Sequence, residues 1–134
     1  MASYRNVLVA FDGSEMSTRA LECAVDIART SGARLLVLAV AENAPPFAAA
    51  VAENHKNGRL RSAVESALGT ARRAGVSADA TIVDGYPAEV IVRNGAELDC
   101  DLIVVGAPAD GECRPGRTAD KVVELARSAV LVVR

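Results

Sequence analysis

The chain has 134 residues, an apolar fraction of 51% and a formal net charge of −2 from 15 basic and 17 acidic side chains. This composition suits one folded domain over residues 1–134, and the slight acidity with only 3% aromatic residues argues against nucleic-acid binding. Three cysteines without metal-ligand spacing argue against a disulfide scaffold or a metal site and favour the cytoplasm. We expect neither a signal peptide nor a membrane partner, because no apolar run approaches the roughly 18 residues of a membrane helix.

Five short apolar runs divide the chain. They are continuous rather than alternating, which is typical of strands buried on both faces in a parallel sheet. The runs cover residues 7–11, 35–40, 80–83, 102–105 and 130–133.

Helical periodicity separates these runs. The first helix is predicted over residues 14–31, between a Ser14 cap and Gly32, and the second over 57–74. The third begins at Pro87 and reaches about residue 98, and the fourth begins near Thr118. Residues 41–57 are the longest irregular stretch, and the sequence leaves open whether part of it is helical. The predicted buried stripe of the first helix comprises Met16, Ala20, Cys23, Ala24, Ile27 and Ala28.

The resulting order, β-α-β-α-β-α-β-α-β, predicts an α/β fold with a single doubly wound parallel sheet. Ligands of such sheets bind beyond the carboxyl ends of the strands, where the strand order reverses. Three segments are expected to meet there, namely residues 10–14, 40–42 and 106–118.

Asp12 and the glycine-containing loop are the candidate binding elements at that edge. Asp12 either accepts hydrogen bonds from a ligand hydroxyl or supports the turn into the first helix. The loop of residues 106–118 is either a phosphate cradle before a helix or an ordinary Gly/Pro loop. It matches neither the P-loop nor the dinucleotide-binding pattern.

Other candidates carry less chemistry. His55 is the only histidine and is interpreted as a solvated loop residue, so no catalytic residue is assigned. Cys23 is expected in the core, and Cys113 is the one thiol that could be redox-sensitive, although an ordinary exposed cysteine is the favoured reading.

Three segments resemble the universal stress protein family. Residues 7–15 (VLVAFDGSE) resemble its opening, and residues 84–87 (DGYP) with 101–106 (DLIVVG) are similar to its passage from the third to the fourth strand. Residues 116–134 match its closing segment in length and pattern. The resemblance implies five strands in the order 3-2-1-4-5, the adenine nucleotide alpha hydrolase-like fold, a homodimer, and a cytoplasmic role in stress responses.

One branch of this family binds ATP through G-x-x-G, nine residues and G-[ST], and another branch lacks the motif. The resemblance implies that the backbone at Ala10 and Val40, with Asp12, holds the adenosine. It also implies a phosphate site formed by Gly106, Gly111, Gly116, Arg117 and Thr118. Gly111 is included as a partial replacement for a glycine of the ATP-binding pattern that this chain lacks.

The loop departs from the ATP-binding pattern in three ways. Ala109 stands in place of the second glycine, and Arg117 stands where Ser or Thr is expected. Nine residues separate Gly106 from Gly116, three fewer than the pattern has. We therefore expect ATP to bind weakly.

The favoured interpretation is a non-catalytic, homodimeric stress-response module with a degraded ATP-binding loop. The alternative is a sensor that binds ATP or AMP, with Mg²⁺, in a cleft formed by Asp12, Val40 and Gly106. A slow nucleotide hydrolase is a third, less favoured interpretation. The homodimer is predicted through the last strand, Val130 to Val133, because an apolar edge strand needs a cover.

Overall fold

A computed structural model describes residues 3–41, 49–108 and 118–134, and for residues 49–57 it describes the backbone alone. Within these residues a five-stranded sheet has the order β3-β2-β1-β4-β5, and every neighbouring pair is parallel. The predicted fold class and strand order are confirmed. The strands are β1 (Asn6–Ala10), β2 (Arg34–Ala41), β3 (Ala78–Asp84), β4 (Leu102–Gly106) and β5 (Ala129–Val133).

Two helices cover each face of the sheet. Helices α1 (Glu15–Ser31) and α2 (Ala49–Arg73) pack on the face that carries Val7 and Val9 of β1. Helices α3 (Pro87–Glu97) and α4 (Thr118–Leu125) pack on the opposite face, around Leu8. Alternate residues of β1 therefore point into two separate cores, which explains why its apolar run is continuous.

Helix α1 begins and ends at the predicted caps, but its buried face differs from the predicted stripe. Ser14 is the N-cap, and Gly32 adopts the left-handed conformation with φ of 69° at the C-cap. Met16, Cys23 and Ile27 are only half-buried. The buried face is centred about one residue further round the helix, on Ser17, Ala20, Leu21, Ala24, Val25 and Ala28.

Helix α2 begins at Ala49, eight residues before its predicted start at Asn57. Part of the stretch that the sequence left undecided is therefore helical, and the backbone of His55, which was expected in a loop, belongs to this helix. The extension starts in an alanine-rich segment, and alanine has the highest helix propensity.

The two edge strands are less buried than their apolar sequences predicted. In β1 and β4 the central residues are buried, whereas β5 has no fully buried residue and Val132 is 36% exposed. The prediction of burial on both faces holds for the central strands and is wrong for both edge strands, β3 and β5. An edge strand has only one neighbouring strand and lies at the margin of the helix layers.

Gly95 allows α3 to lie close to β4, and its substitution tests this packing. A Cβ at Gly95 would lie 3.0 Å from Cδ1 of Ile103, which is 2% exposed. A helical Gly→Ala change gains about 1 kcal/mol of helix propensity, but overpacking a core costs about 1–3 kcal/mol. We expect Gly95→Ala to lower the free energy of unfolding in urea by about 1 kcal/mol.

Two further variants make this test specific. In an Ile103→Val background, which removes Cδ1, we expect Gly95→Ala to be neutral or stabilising. The control is Gly69→Ala in α2, where the nearest neighbour is the flexible end of Arg73 at 3.2 Å, and we expect a gain of about 0.5–1 kcal/mol. Equal effects at Gly95 and Gly69 would contradict the packing argument.

Candidate functional site

A cleft of about 600 Å³ opens at the carboxyl edge of the sheet. It lies at the carboxyl end of β1, which has β2 on one side and β4 on the other. This is the switch point of the strand order. Its walls include Ala10, Asp12, Val40, Gly106 and Thr118.

The structure thus brings together five of the eight residues to which the sequence assigned a binding role. The three segments expected to meet at this edge contribute to one cleft. Gly111, Gly116 and Arg117 lie outside the described residues, as does Cys113. The binding roles themselves stay predictions.

The cleft has an apolar interior and a polar rim. Leu38, Ile91 and Val105 are buried residues that also line the cleft, and Val40 is half-buried beside them. The polar side chains come from the beginnings of α1 and α4. A pocket with apolar walls and a few polar groups at one side is typical of a small-molecule site.

Asp12 occupies a hydrogen-bonded turn between β1 and α1. Its Oδ1 accepts a hydrogen bond of 2.9 Å from the Ser14 N–H, and its own N–H donates to Ser17 Oγ at 3.3 Å. Ser17 in turn donates its hydroxyl proton to the Ser14 carbonyl at 3.0 Å. Gly13 has φ of 85°, a conformation that favours glycine. Asp12 therefore supports the turn, one of its two predicted roles, and it still faces the cleft as an exposed residue.

These hydrogen bonds also set the charge of Asp12. Partial burial is the largest single influence on the Asp12 pKa and raises it, but the hydrogen bonds to the carboxylate, first among them those from Ser14, together outweigh burial. The pKa of Asp12 is consequently lowered from its usual 3.8. The cleft contains an ionised carboxylate at neutral pH.

Gly106 has a steric role that the sequence did not reveal. A Cβ at this position would lie 2.8 Å from the carbonyl oxygen of Met16 and 2.9 Å from its carbonyl carbon. Backbone cannot yield as a flexible side chain does, so β4 and the first turn of α1 can approach this closely only because residue 106 is glycine.

Several residues that line the cleft were missed from the sequence. Ser17 and Arg19 reach it from α1, and Pro87 reaches it from the beginning of α3. Ser17 could have been found, because a serine three residues after an N-cap can close a hydrogen-bonded turn. Arg19 could not, because its place depends on how α1 lies across the sheet.

The remaining candidates lie away from this chemistry. Where side chains are described, in residues 3–41, 58–108 and 118–134, no group of three or more His, Cys, Asp or Glu residues could hold a metal. No helix of the described part of the chain is long and apolar enough to cross a membrane. Cys23 is half-buried rather than in the core. The pKa of the Cys100 thiol is raised, first by burial and then by the charges of Asp101 and Asp99.

Comparison with known proteins gives consistent results. The model of the universal stress protein family matches residues 3–134. The chain is 34% identical to a universal stress protein of Thermus aquaticus, covering 98% of this chain and 99% of that protein. It is 31% identical to universal stress protein YxiE of Bacillus subtilis, with the same coverage. A crystal structure of a universal stress protein in complex with cAMP superposes with a TM-score of 0.82, at 26% identity and over 99% of this chain and 98% of that one.

The lowered pKa of Asp12 predicts a pH-dependent contribution to stability. A carboxylate with a lowered pKa in the folded state stabilises the fold above its unfolded pKa, here about 3.8, and loses that contribution as the pH falls through the folded value. We expect Asp12→Asn to lower the free energy of unfolding in urea most at about pH 5–7, with the deficit shrinking towards about pH 2–3. A deficit that grows as the pH falls would contradict the hydrogen-bonded, ionised state of Asp12.

Proposed function

The chain belongs to the universal stress protein family, and from that premise we propose that it is a non-catalytic cytoplasmic module that binds an adenine nucleotide with a single phosphate. The observation that carries the proposal is the cleft at the strand switch point, with apolar walls and an ionised Asp12 at its rim. This function corresponds to the alternative interpretation of the sequence, in which the protein senses a nucleotide. It keeps the weakened ATP site of the favoured interpretation.

The shape and chemistry of the cleft suit an adenosine. Its volume of about 600 Å³ lies within the roughly 300–1,000 Å³ typical of ligand pockets. A purine ring has two apolar faces, which Leu38, Val40 and Val105 can cover. Ribose hydroxyls are hydrogen-bond donors, and the ionised Asp12 carboxylate is an acceptor at the rim.

The sequence of the loop supports a ligand with one phosphate rather than three. Residues 109–117 contain two acidic and two basic side chains, so their charges cancel. They also lack one glycine and three residues of the family's ATP-binding pattern. A triphosphate with Mg²⁺ needs more backbone donors and positive charge than this loop offers. The related structure contains cAMP, an adenine nucleotide with one phosphate.

A binding role fits Asp12 better than a catalytic role. The lowered pKa makes its carboxylate a weak base at neutral pH, because general bases work best with a pKa near the working pH. Its Oδ1 is already used in the turn. The rival function, a slow nucleotide hydrolase, differs in one observable, the release of phosphate or pyrophosphate from ATP.

We further propose a homodimer through the outer edge of β5. In the described residues β5 pairs only with β4, and its sequence has no proline or charge that would deter pairing with another strand. A two-fold pairing of β5 with its copy would satisfy this edge. Leu131 and Val133 pack against the core of their own chain, so Val132 is the exposed apolar residue for a partner.

Nucleotide titration by calorimetry tests the proposed function. We expect AMP to bind with Kd of about 10–100 μM, and Mg-ATP to bind more weakly than AMP and above about 10 μM. Loss of a charged hydrogen-bond acceptor costs about 1.5–3 kcal/mol, so Asp12→Ala is expected to weaken AMP binding by at least about tenfold. Asp26→Ala is the matched control, because Asp26 is an exposed carboxylate on α1 that does not line the cleft and pairs with Arg29 at 3.4 Å.

Each alternative has its own outcome in this experiment. Submicromolar ATP binding that Asp12→Ala abolishes would show that the altered loop still holds a triphosphate. Release of phosphate from ATP would favour the hydrolase. Failure of AMP, cAMP and ATP to bind would overturn the proposal and leave a module that works through protein contacts.

The dimer is tested with a pair of edge-strand variants. Sedimentation equilibrium of the unmodified chain at tens of micromolar is expected to give a dimer, and Val132→Lys is expected to give the 13.9 kDa monomer. The control is Ile82→Lys on the opposite edge strand β3, where Ile82 is 38% exposed and Val132 is 36% exposed. A monomeric unmodified chain, or dissociation by both variants, would contradict pairing through β5.

A further inference from the structure

Arg19 is the one basic side chain among the described residues that line the cleft. It lies on α1, five residues after the Ser14 cap, and its side chain is 55% exposed. Glu15, one turn earlier, also lines the cleft and is 84% exposed. The two side chains therefore form a charged pair at the mouth of a cleft with apolar walls.

The ion pair between these residues is loose. Arg19 Nη2 lies 3.9 Å from Glu15 Oε1, which is near the outer limit for a salt bridge. Exposed pairs at i and i+4 contribute only about 0.3–0.5 kcal/mol. The guanidinium has five donors in a planar fork, which suits two oxygens of a phosphate better than a single distant carboxylate oxygen. A phosphate in the cleft can therefore displace Glu15 from Arg19 at little cost.

The backbone beneath Arg19 is firmly positioned. Ala20 and Leu21, the next two residues, are buried against the sheet. In the first turn of α1, the backbone of Met16 lies directly against Gly106. The long side chain is flexible, but it extends from a fixed point on this helix into the cleft that the end of β4 also lines.

We propose that Arg19 is the phosphate-recognising side chain of this cleft and that Glu15 opposes the binding of each further phosphate. The inference rests on the proposed function and adds the residue that distinguishes a nucleotide from a nucleoside. Arg19 donates hydrogen bonds to the phosphate, whereas Asp12 accepts them from the ribose. Glu15 pairs with Arg19 at the mouth of the cleft and repels anions.

The alternative is that Glu15 and Arg19 form an ordinary surface pair. The same helix supplies a direct comparison, because Arg29 and Asp26 form an exposed pair at 3.4 Å and neither residue lines the cleft. An ordinary pair and a phosphate-binding pair differ in their response to AMP and to adenosine.

The experiment measures binding of adenosine and of AMP at low salt to the unmodified chain and to three variants. We expect Arg19→Gln to weaken AMP binding by about tenfold, as for a lost charge-assisted hydrogen bond, and to change adenosine binding by less than about twofold. Glu15→Gln is expected to tighten AMP binding by roughly two- to fivefold, because it replaces the charged partner of Arg19 with a weaker, neutral acceptor and removes a charge that repels the phosphate. Arg29→Gln, the matched control, is expected to change neither affinity.

Ionic strength provides a second readout. The ratio of AMP to adenosine affinity is expected to fall with added salt in the unmodified chain and to depend little on salt in Arg19→Gln. Far-UV circular dichroism and urea midpoints confirm that the variants are folded. If Arg19→Gln fails to fold, Arg19→Lys replaces it, with AMP binding reduced by less because a point charge remains.

The outcomes separate this inference from the proposed function. If neither adenosine nor AMP binds the unmodified chain, the proposed function fails and this inference fails with it. If AMP binds but Arg19→Gln behaves like Arg29→Gln, or weakens adenosine and AMP equally, only the role of Arg19 is overturned.

Discussion

Gly106, at the end of β4, lies directly against the backbone of Met16 in the first turn of α1, and the geometry of the cleft depends on this contact. With any side chain at residue 106, a Cβ would lie 2.8 Å from the Met16 carbonyl oxygen, so the helix would have to move outwards. The turn that contains Asp12 would move with it, because Ser14 and Ser17 at the beginning of α1 bind Asp12. A glycine that the family pattern associates with phosphates therefore also has a steric function in assembling the site.

The two central strands that frame the cleft are also fixed at their other end. Asp101, just before β4, accepts hydrogen bonds from the N–H groups of Arg5 at 2.9 Å and Asn6 at 3.0 Å, at the start of β1. These two hydrogen bonds hold together the amino ends of β1 and β4, while Gly106 allows the carboxyl end of β4 to lie against α1. The cleft lies at the carboxyl ends of these two strands, and such fixed strands suit a binding site that needs its groups in place before the ligand arrives.

The sequence predicted the fold and the place of the cleft because both follow from order along the chain. Continuous apolar runs alternating with helices specify a parallel sheet, and carboxyl ends of neighbouring strands must meet. It could not predict which side of α1 is buried, because Leu21 and Val25 compete with Ile27 and Cys23 for the core and the crossing angle of the helix decides. Arg19 was missed for the same reason. The sequence placed β5 at an edge of the sheet, but it did not reveal that the faces of β3 and β5 are only partly buried, because an apolar strand has the same sequence whether or not a helix layer covers it.

The strand of the proposed dimer edge, β5, pairs directly with β4, and the end of β4 lines the cleft. Gly106 pairs with Val133 in the register of β4 with β5, and the N–H of Ala107, a residue that lines the cleft, donates a hydrogen bond of 2.7 Å to the Val133 carbonyl. The end of β5 therefore fixes the chain where it leaves β4 and enters residues 109–117. Pairing of β5 with a second copy would order the same strand that holds this wall of the cleft. Because linkage is reciprocal, a ligand that orders residues 106–108 would favour the dimer by the same free energy with which the dimer favours the ligand.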